Sequence, residues 1–155
     1  VPLCYERGMS EPQCAAGPDL DAARLYELLS LRVNVFVVEQ ECAYAELDGK
    51  DLLPGTTHFW VADDDGVRGC LRVLEDGGQW RIGRVCTRRD ARGEGVGARL
   101  TAAALDHVGP VDVVLSSQRY ATGFYARFGF VAEGEPYDED GIPHITMRRP
   151  GERSS

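Results

Sequence analysis

The stretch Arg84-Val85-Cys86-Thr87-Arg88-Arg89-Asp90-Ala91-Arg92-Gly93-Glu94-Gly95-Val96-Gly97 decides how the rest of the chain is read. An extended run ending at Thr87 feeds a polar loop, and its glycines let the backbone approach a bound group closely before a helix begins. In that helix Val96, Leu100, Ala103, Ala104 and Val108 fall on one face, and Gly109-Pro110 stops it. A helix that starts behind a glycine loop aims free N–H groups and its positive dipole end at whatever sits in front. The natural guest is a phosphate. Charge points the same way. Residues 81–99 hold six arginines against Asp90 and Glu94, a net +4, whereas the whole chain carries −8 and the remainder therefore −12.

Upstream of this segment, Asp19 or Asp21 can cap a helix carrying Leu25, Leu28, Leu29 and Arg32, and the β-branched run Val33–Val38 leaves its end open. Extended runs follow at His58–Ala62, Arg68–Leu74 and Trp80–Thr87, separated by Asp63-Asp64-Asp65-Gly66 and Asp76-Gly77-Gly78, which are turn sequences. Downstream come a short apolar strand at Val111–Leu115, a helix over Tyr120–Phe128, and a hairpin of Phe130–Glu135 with His144–Arg148 around Asp140-Gly141. This order predicts a single α+β (mixed α/β) domain over 19–150. Its central sheet is mostly antiparallel and twisted, with flanking helices and one strand-helix-strand crossover. Residues 1–18, rich in Pro and Gly without a period, and 151–155 read as flexible tails.

Composition sets the outer limits. A chain of 155 residues is too short for two well-cored domains. The net charge of −8 argues against coating nucleic acid or anionic lipid, which needs a basic field. No apolar run approaches the ~20 residues that cross a bilayer, and no signal-peptide pattern follows Val1, so a cytoplasmic protein is expected. Five cysteines, an odd number without C-x-x-C, read as reduced thiols. The histidines at 58, 107 and 144 have no metal-ligand spacing, and no metal is expected.

Two nucleotide-type ligands compete for the loop, because Gly93-x-Gly95-x-x-Ala98 also fits a dinucleotide pattern. In that fold the first glycine lies in the tight turn directly after the strand, but here five residues separate Thr87 from Gly93, and Asp112 begins the next strand where an acidic residue should end it. A P-loop fails because no Gly-Lys-Ser/Thr occurs; the only lysine is Lys50.

Arg92-x-x-Gly95-x-Gly97 after a strand and short loop instead resembles the acyl-CoA pyrophosphate loop of the GNAT N-acetyltransferase superfamily. Gln118-x-x-Ala121-x-x-x-Tyr125-x-x-x-Gly129-Phe130 resembles its second signature, with Gln where Asn is common. Leu31-Arg32, Val35 to Gln40, Tyr44, Glu46-Leu47-Asp48, Asp51 and Glu139 to His144 are similar to the ElaA-like branch, over about 20–149.

The resemblance implies direct transfer of an acetyl group from acetyl-CoA to a primary amine of a small molecule or peptide, by a monomer or homodimer. It implies Tyr125 as the acid that protonates the leaving thiolate. It implies a cofactor site made by Val85, Cys86, Thr87, Arg92, Gly93, Gly95, Val96, Gly97 and Gln118, with Val85 and Thr87 offering backbone groups. Cys86 is expected on the opposite strand face rather than as an acyl carrier. An amine of pKa ~10.4 is neutral in only about 0.04% of molecules at pH 7, so a base, or a site that lowers that pKa, is required. Candidates for the base or for binding the amine are Glu39, Glu41, Glu46, Asp48 and His144, whose strand parity opposes Ile145 and Met147. A non-catalytic acyl-CoA sensor or partner module is the competing reading. An acyl-homoserine lactone synthase is a third, argued against by the intact Arg92–Gly97 loop.

Overall fold

The computed structural model describes residues 11–151. Helix α1, Ala22–Arg32, starts where Asp21 accepts the Arg24 N–H at 2.7 Å, and it turns Leu28 and Leu31 inward. The β-branched run that follows stays helical but widens. Val33–Glu39 form π-type turns, with Gln40 N–H bonded to the Val35 carbonyl and Cys42 N–H to Val37, both five residues back.

The meander is present as β2 (Thr56–Asp63), β3 (Gly66–Asp76) and β4 (Gln79–Thr87), each longer than its apolar run because polar end residues continue the pairing. Helix α2, Val96–Val108, crosses to β5, Val113–Gln118. The second helix is shorter than its apolar spacing predicts. Arg119–Ala121 form a 3-10 turn, α3 covers only Thr122–Ala126, and Gly129 in the left-handed region closes it by a C-terminal motif in which Phe130 N–H reaches the Tyr125 carbonyl. Strands β6 (Val131–Glu139) and β7 (Ile142–Arg149) make the closing hairpin around Asp140-Gly141.

The tail expectation for 1–18 is corrected at Gln13–Ala16. These residues form the edge strand β1, paired antiparallel to β2 from Gln13↔Trp60 to Ala16↔Thr57. Four residues without polar alternation carry too weak a pattern to announce a strand; β2 supplies the partner that holds them. At the other end, Gly151 donates its N–H to Asp112 at 2.6 Å. The remaining tail residues, 1–10 and 152–155, lie outside the described residues.

One sheet of order β1-β2-β3-β4-β5-β7-β6 results, antiparallel except at β4–β5, as the sequence predicts. Its two faces carry separate cores. On one, Val96, Leu100 and Ala104 of α2 pack on Leu71, Val73 and Val113; on the other, Leu28, Leu31 and Val35 pack on Trp60, Cys70 and Cys86. The parallel pair is short. Only Trp80↔Val113 and Arg81↔Val114 are matched, and beyond them the strands part. The cause lies on the other side of β4. Cys70 pairs with Cys86 and Arg72 with Gly83, so Arg84 and Val85 both oppose Leu71 in a bulge that puts Arg84 at φ 54°.

Gly69 lets α2 settle onto this bulged region: a Cβ there would lie 2.6 Å from Val96 Cγ1 and 3.0 Å from the Cys86 carbonyl oxygen. Gly69→Ala is therefore expected to cost about 1–3 kcal/mol of stability by overpacking, read as a lower denaturant midpoint with an unchanged slope.

Candidate active site

A cleft of about 1040 Å³ opens where β4 and β5 diverge. Val85, Cys86 and Thr87 form one wall and Leu115 to Gln118 the other, the Gly93–Gly97 loop closes one end, and Tyr125 reaches in from α3. Of the residues singled out from the sequence, Glu39, Asp48, His144, Tyr125, Arg92, Gln118 and the strand and glycine positions all line this cleft. Glu46 and Glu41 do not.

At the loop, Gly93 and Gly95 take φ values of 84° and 79°, a left-handed backbone that only glycine adopts without strain. Gly95 caps α2 and has no side chain to occupy the first N–H groups, so those of Val96, Gly97 and Ala98 point out of the helix end toward the cleft. Guanidinium groups contribute less here than the +4 count suggests. Arg84 turns to Glu46, Arg88 to Asp63 and Asp90, and Arg92 to the Thr87 carbonyl at 3.1 Å and Glu39 at 2.5 Å. The Arg92 guanidinium holds the exposed Glu39 carboxyl below its ordinary value.

Tyr125 is half-buried against Phe124 and Phe130, edge-on to both rings. Burial, with smaller contributions from Tyr120 and Cys86, pushes its phenol up to about 12, so it remains a protonated donor at any working pH. Cys86 turns into the α1-side core with its sulfur 3.7 Å from that of Cys70, and this neighbour together with burial pushes its thiol up. A thiol kept protonated is a poor nucleophile. Val85 packs toward the opposite face.

His144 sits on β7 opposite Gln118, nearly buried, with its ring stacked on Tyr137. Its Nδ1 lies 2.7 Å from the Ile142 carbonyl oxygen, which only accepts, so Nδ1 carries a proton and the neutral ring keeps its lone pair on Nε2. Glu139 approaches that nitrogen at 3.4 Å. The hydroxyls of Tyr137 on β6 and Ser116 on β5 bond to each other across the intervening β7.

Beneath the cleft lies an ionic cluster that reading the sequence did not assemble. Arg32, buried in the apolar stripe of α1, bonds Glu46 at 2.7 Å and Asp51 at 2.6 Å; Arg72 bonds Asp51 at 2.9 Å and also Asp48. Arg84 bonds Glu46 at 2.7 Å and Asp48 at 3.4 Å, and the Tyr44 hydroxyl donates to Glu46. Three guanidinium groups thus face three carboxylates. An arginine inside an apolar helix stripe and another inside the run Arg68–Leu74 were its available signals. Burial pushes the Asp48 and Asp51 carboxyls up, but the hydrogen bonds and charge of Arg72 on the first and of Arg32 on the second outweigh it and hold both below the carboxylate range. Burial pushes the Arg32 guanidinium down, yet Asp51 and Glu46 more than reverse this.

A splayed parallel strand pair with a glycine loop at a helix N-terminus and a phenol over the gap defines an acyl-CoA-dependent acyltransferase. Residues 27–150 match the family model described as an acetyltransferase (GNAT) domain, and the chain belongs to that family, on its ElaA-like branch. A UPF0039 protein of Mycobacterium tuberculosis is 55% identical over 138 residues, covering 86% of this chain and 88% of the relative. ElaA of Escherichia coli is 39% identical over 138 residues, 84% of this chain and 90% of its own, and its crystal structure superposes with a TM-score of 0.84 over 90% of this chain and 98% of that one. The crystal structure of an acyl-CoA N-acyltransferase from Pseudomonas aeruginosa gives a TM-score of 0.85 at 43% identity, with coverage of 90% and 98%. Among the described residues no helix is long and apolar enough to cross a membrane.

Removing one member of the ionic cluster leaves buried charge unpaired. Arg32→Met is expected to cost about 3–5 kcal/mol in chemical denaturation. The Asp48 and Asp51 contributions are complete well above the unfolded-chain value of 3.8 and are lost progressively as pH falls through it toward the lower folded values, because the unfolded chain then binds more protons. Stability should therefore decline from about pH 5 to pH 3, and Asp48→Asn should lower stability at pH 7 while flattening that decline.

Proposed function

We propose that the protein transfers the acetyl group of acetyl-CoA directly to a primary amine of a small molecule or peptide. The observation that carries this reading is the Tyr125 phenol, protonated and without a hydrogen-bond partner among the described residues, above the gap between β4 and β5. The pyrophosphate rests on the N–H groups at the start of α2, between Gly93 and Gly97. The pantetheine arm lies along Val85–Thr87 as an added strand, using backbone groups freed where β4 leaves β5. Gln118, whose amide reaches Gln40 at 3.4 Å, borders the same channel.

Among the base candidates, His144 has the favourable geometry: it lines the cleft, its Nδ1 is committed to the Ile142 carbonyl, and the Glu139 carboxylate 3.4 Å from Nε2 favours that nitrogen taking up a proton. Nε2 takes the proton of the bound ammonium, the amine nitrogen attacks the thioester carbonyl carbon, the C–S bond breaks, and Tyr125 protonates the departing thiolate. Glu46, Asp48 and Glu39 act elsewhere in this scheme: the first two brace the floor beneath the cleft and Glu39 tethers Arg92. Transfer is direct because Cys86 is held as a thiol.

Tyr125→Phe should lower kcat by about 10²-fold or more while acetyl-CoA still raises the melting temperature, since general acid catalysis contributes about 10²–10⁴. Unchanged turnover removes Tyr125 from the acid role. With the phenol at about 12, the wild-type kcat profile should show no falling limb below pH 10, and a fall near pH 8 to 9 contradicts the assignment. Stabilisation by NAD and not by CoA overturns the cofactor assignment. Stabilisation by acetyl-CoA without thiol release for any amine favours a sensor.

A further inference from the structure

The acceptor side of the cleft has two ends of opposite charge. At one end stand Glu139 and Asp140, on the β6–β7 turn beside His144. At the other stand Lys50 and Arg81. Register sets them level, two strands apart, within reach of two long side chains: the Lys50 carbonyl accepts from the Thr56 hydroxyl at 2.6 Å, Thr56 lies opposite Leu74, and Leu74 opposite Arg81. Both side chains are exposed, both line the cleft, and neither has a carboxylate partner among the described residues. Of the other arginines that line the cleft, Arg72, Arg84 and Arg92 each find a carboxylate and Arg127 lies over the Phe124 ring. The neighbouring cluster of Arg32, Arg72 and Arg84 with Glu46, Asp48 and Asp51 is neutral by count, so it does not cancel the +2 that Lys50 and Arg81 present to the cleft.

Resting on the N-acetyltransferase reading above, we infer that the acceptor is an amino carboxylate, with its amine at the His144–Glu139 end and its carboxylate held by Arg81 and Lys50. The span fits this class. Arg81 is level with Val114 on β5 and His144 with Gln118, four residues or about 13 Å apart along the strand. The long Arg81 and Lys50 side chains shorten that gap to the reach of a lysine-sized molecule or a dipeptide rather than glycine. A simple alkylamine satisfies only one end. A diamine of the same length meets like charge at the other. The chemistry of transfer is unaffected: the N–C bond forms at the amine end, the C–S bond breaks, and the carboxylate only positions the acceptor.

The test compares kcat/KM for 6-aminohexanoate, hexylamine and 1,6-diaminohexane by acetyl-CoA-dependent thiol release at low ionic strength, in the wild type and in the Lys50→Glu/Arg81→Glu variant. In the wild type the amino carboxylate should exceed hexylamine by about tenfold, the effect of charge-assisted contacts on a partly exposed site, and the diamine should be the poorest. In the variant the order of the amino carboxylate and the diamine should reverse. Because the ratios are taken within one protein, a general loss of activity does not imitate the result. Equal values for the three amines, or ratios unmoved by charge reversal, overturn this inference and leave acetyl transfer standing. No thiol release with any amine, while acetyl-CoA still binds, overturns both.

Discussion

Everything at the site depends on β4 and β5 ceasing to pair after Arg81 and Val114. Two parallel strands that remained zipped would bury their backbone groups in each other and leave no room for a ligand. The extra residue at Arg84-Val85 bends β4 away from β5, while β5 keeps its partner β7 as far as Gln118↔His144. A strand-sized gap is the outcome, and on its β4 wall no strand pairs with the backbone beyond Arg81, although Arg92 occupies the Thr87 carbonyl. It suits an extended pantetheine chain better than a compact ligand.

A bulge that holds a non-glycine residue at φ 54° has to be braced, and the cluster beneath it is placed to do so. Arg84 is both the residue in the left-handed region and a member of that cluster, through Glu46 and Asp48. Arg32 ties the same Glu46 to α1, and Arg72 ties Asp48 and Asp51 to β3. The cluster thus fastens the helix, the 42–55 loop and two strands to one another at the floor of the cleft. A buried ion network of this kind contributes little net stability compared with an apolar core of equal volume. It penalises any arrangement in which a member loses its partner, and so fixes one geometry.

The fold was readable because its strongest signals are local. The meander announces itself by Asp-Gly turns, the crossover helix by its apolar face, and the glycine loop by the residues a helix N-terminus needs in order to face a phosphate. Signals that depend on distant partners were not readable. Gln13–Ala16 are a strand only because β2 offers an edge. Tyr120–Phe128 keep a helical spacing, yet a 3-10 turn and Gly129 leave just five residues of α-helix. Glu46 and Asp48 stood out as acidic residues near the site, but nothing in their spacing shows that three arginines from α1, β3 and β4 converge on them. The charge count of residues 81–99 misled in a similar way, since Arg84, Arg88 and Arg92 are each engaged by a carboxylate from elsewhere or nearby. The phosphate site proposed at the loop rests on backbone N–H groups, which no charge count includes.

On the proposed function, the parted strands and the glycine loop together receive acyl-CoA. Amide hydrogen exchange with and without acetyl-CoA tests it most directly, because the groups in question are backbone N–H groups. Binding should strongly protect Val85 to Thr87 and Gly93 to Ala98, with little change at the β1 edge. Binding that leaves both segments unprotected, or protects only the surface beyond β6, would contradict it.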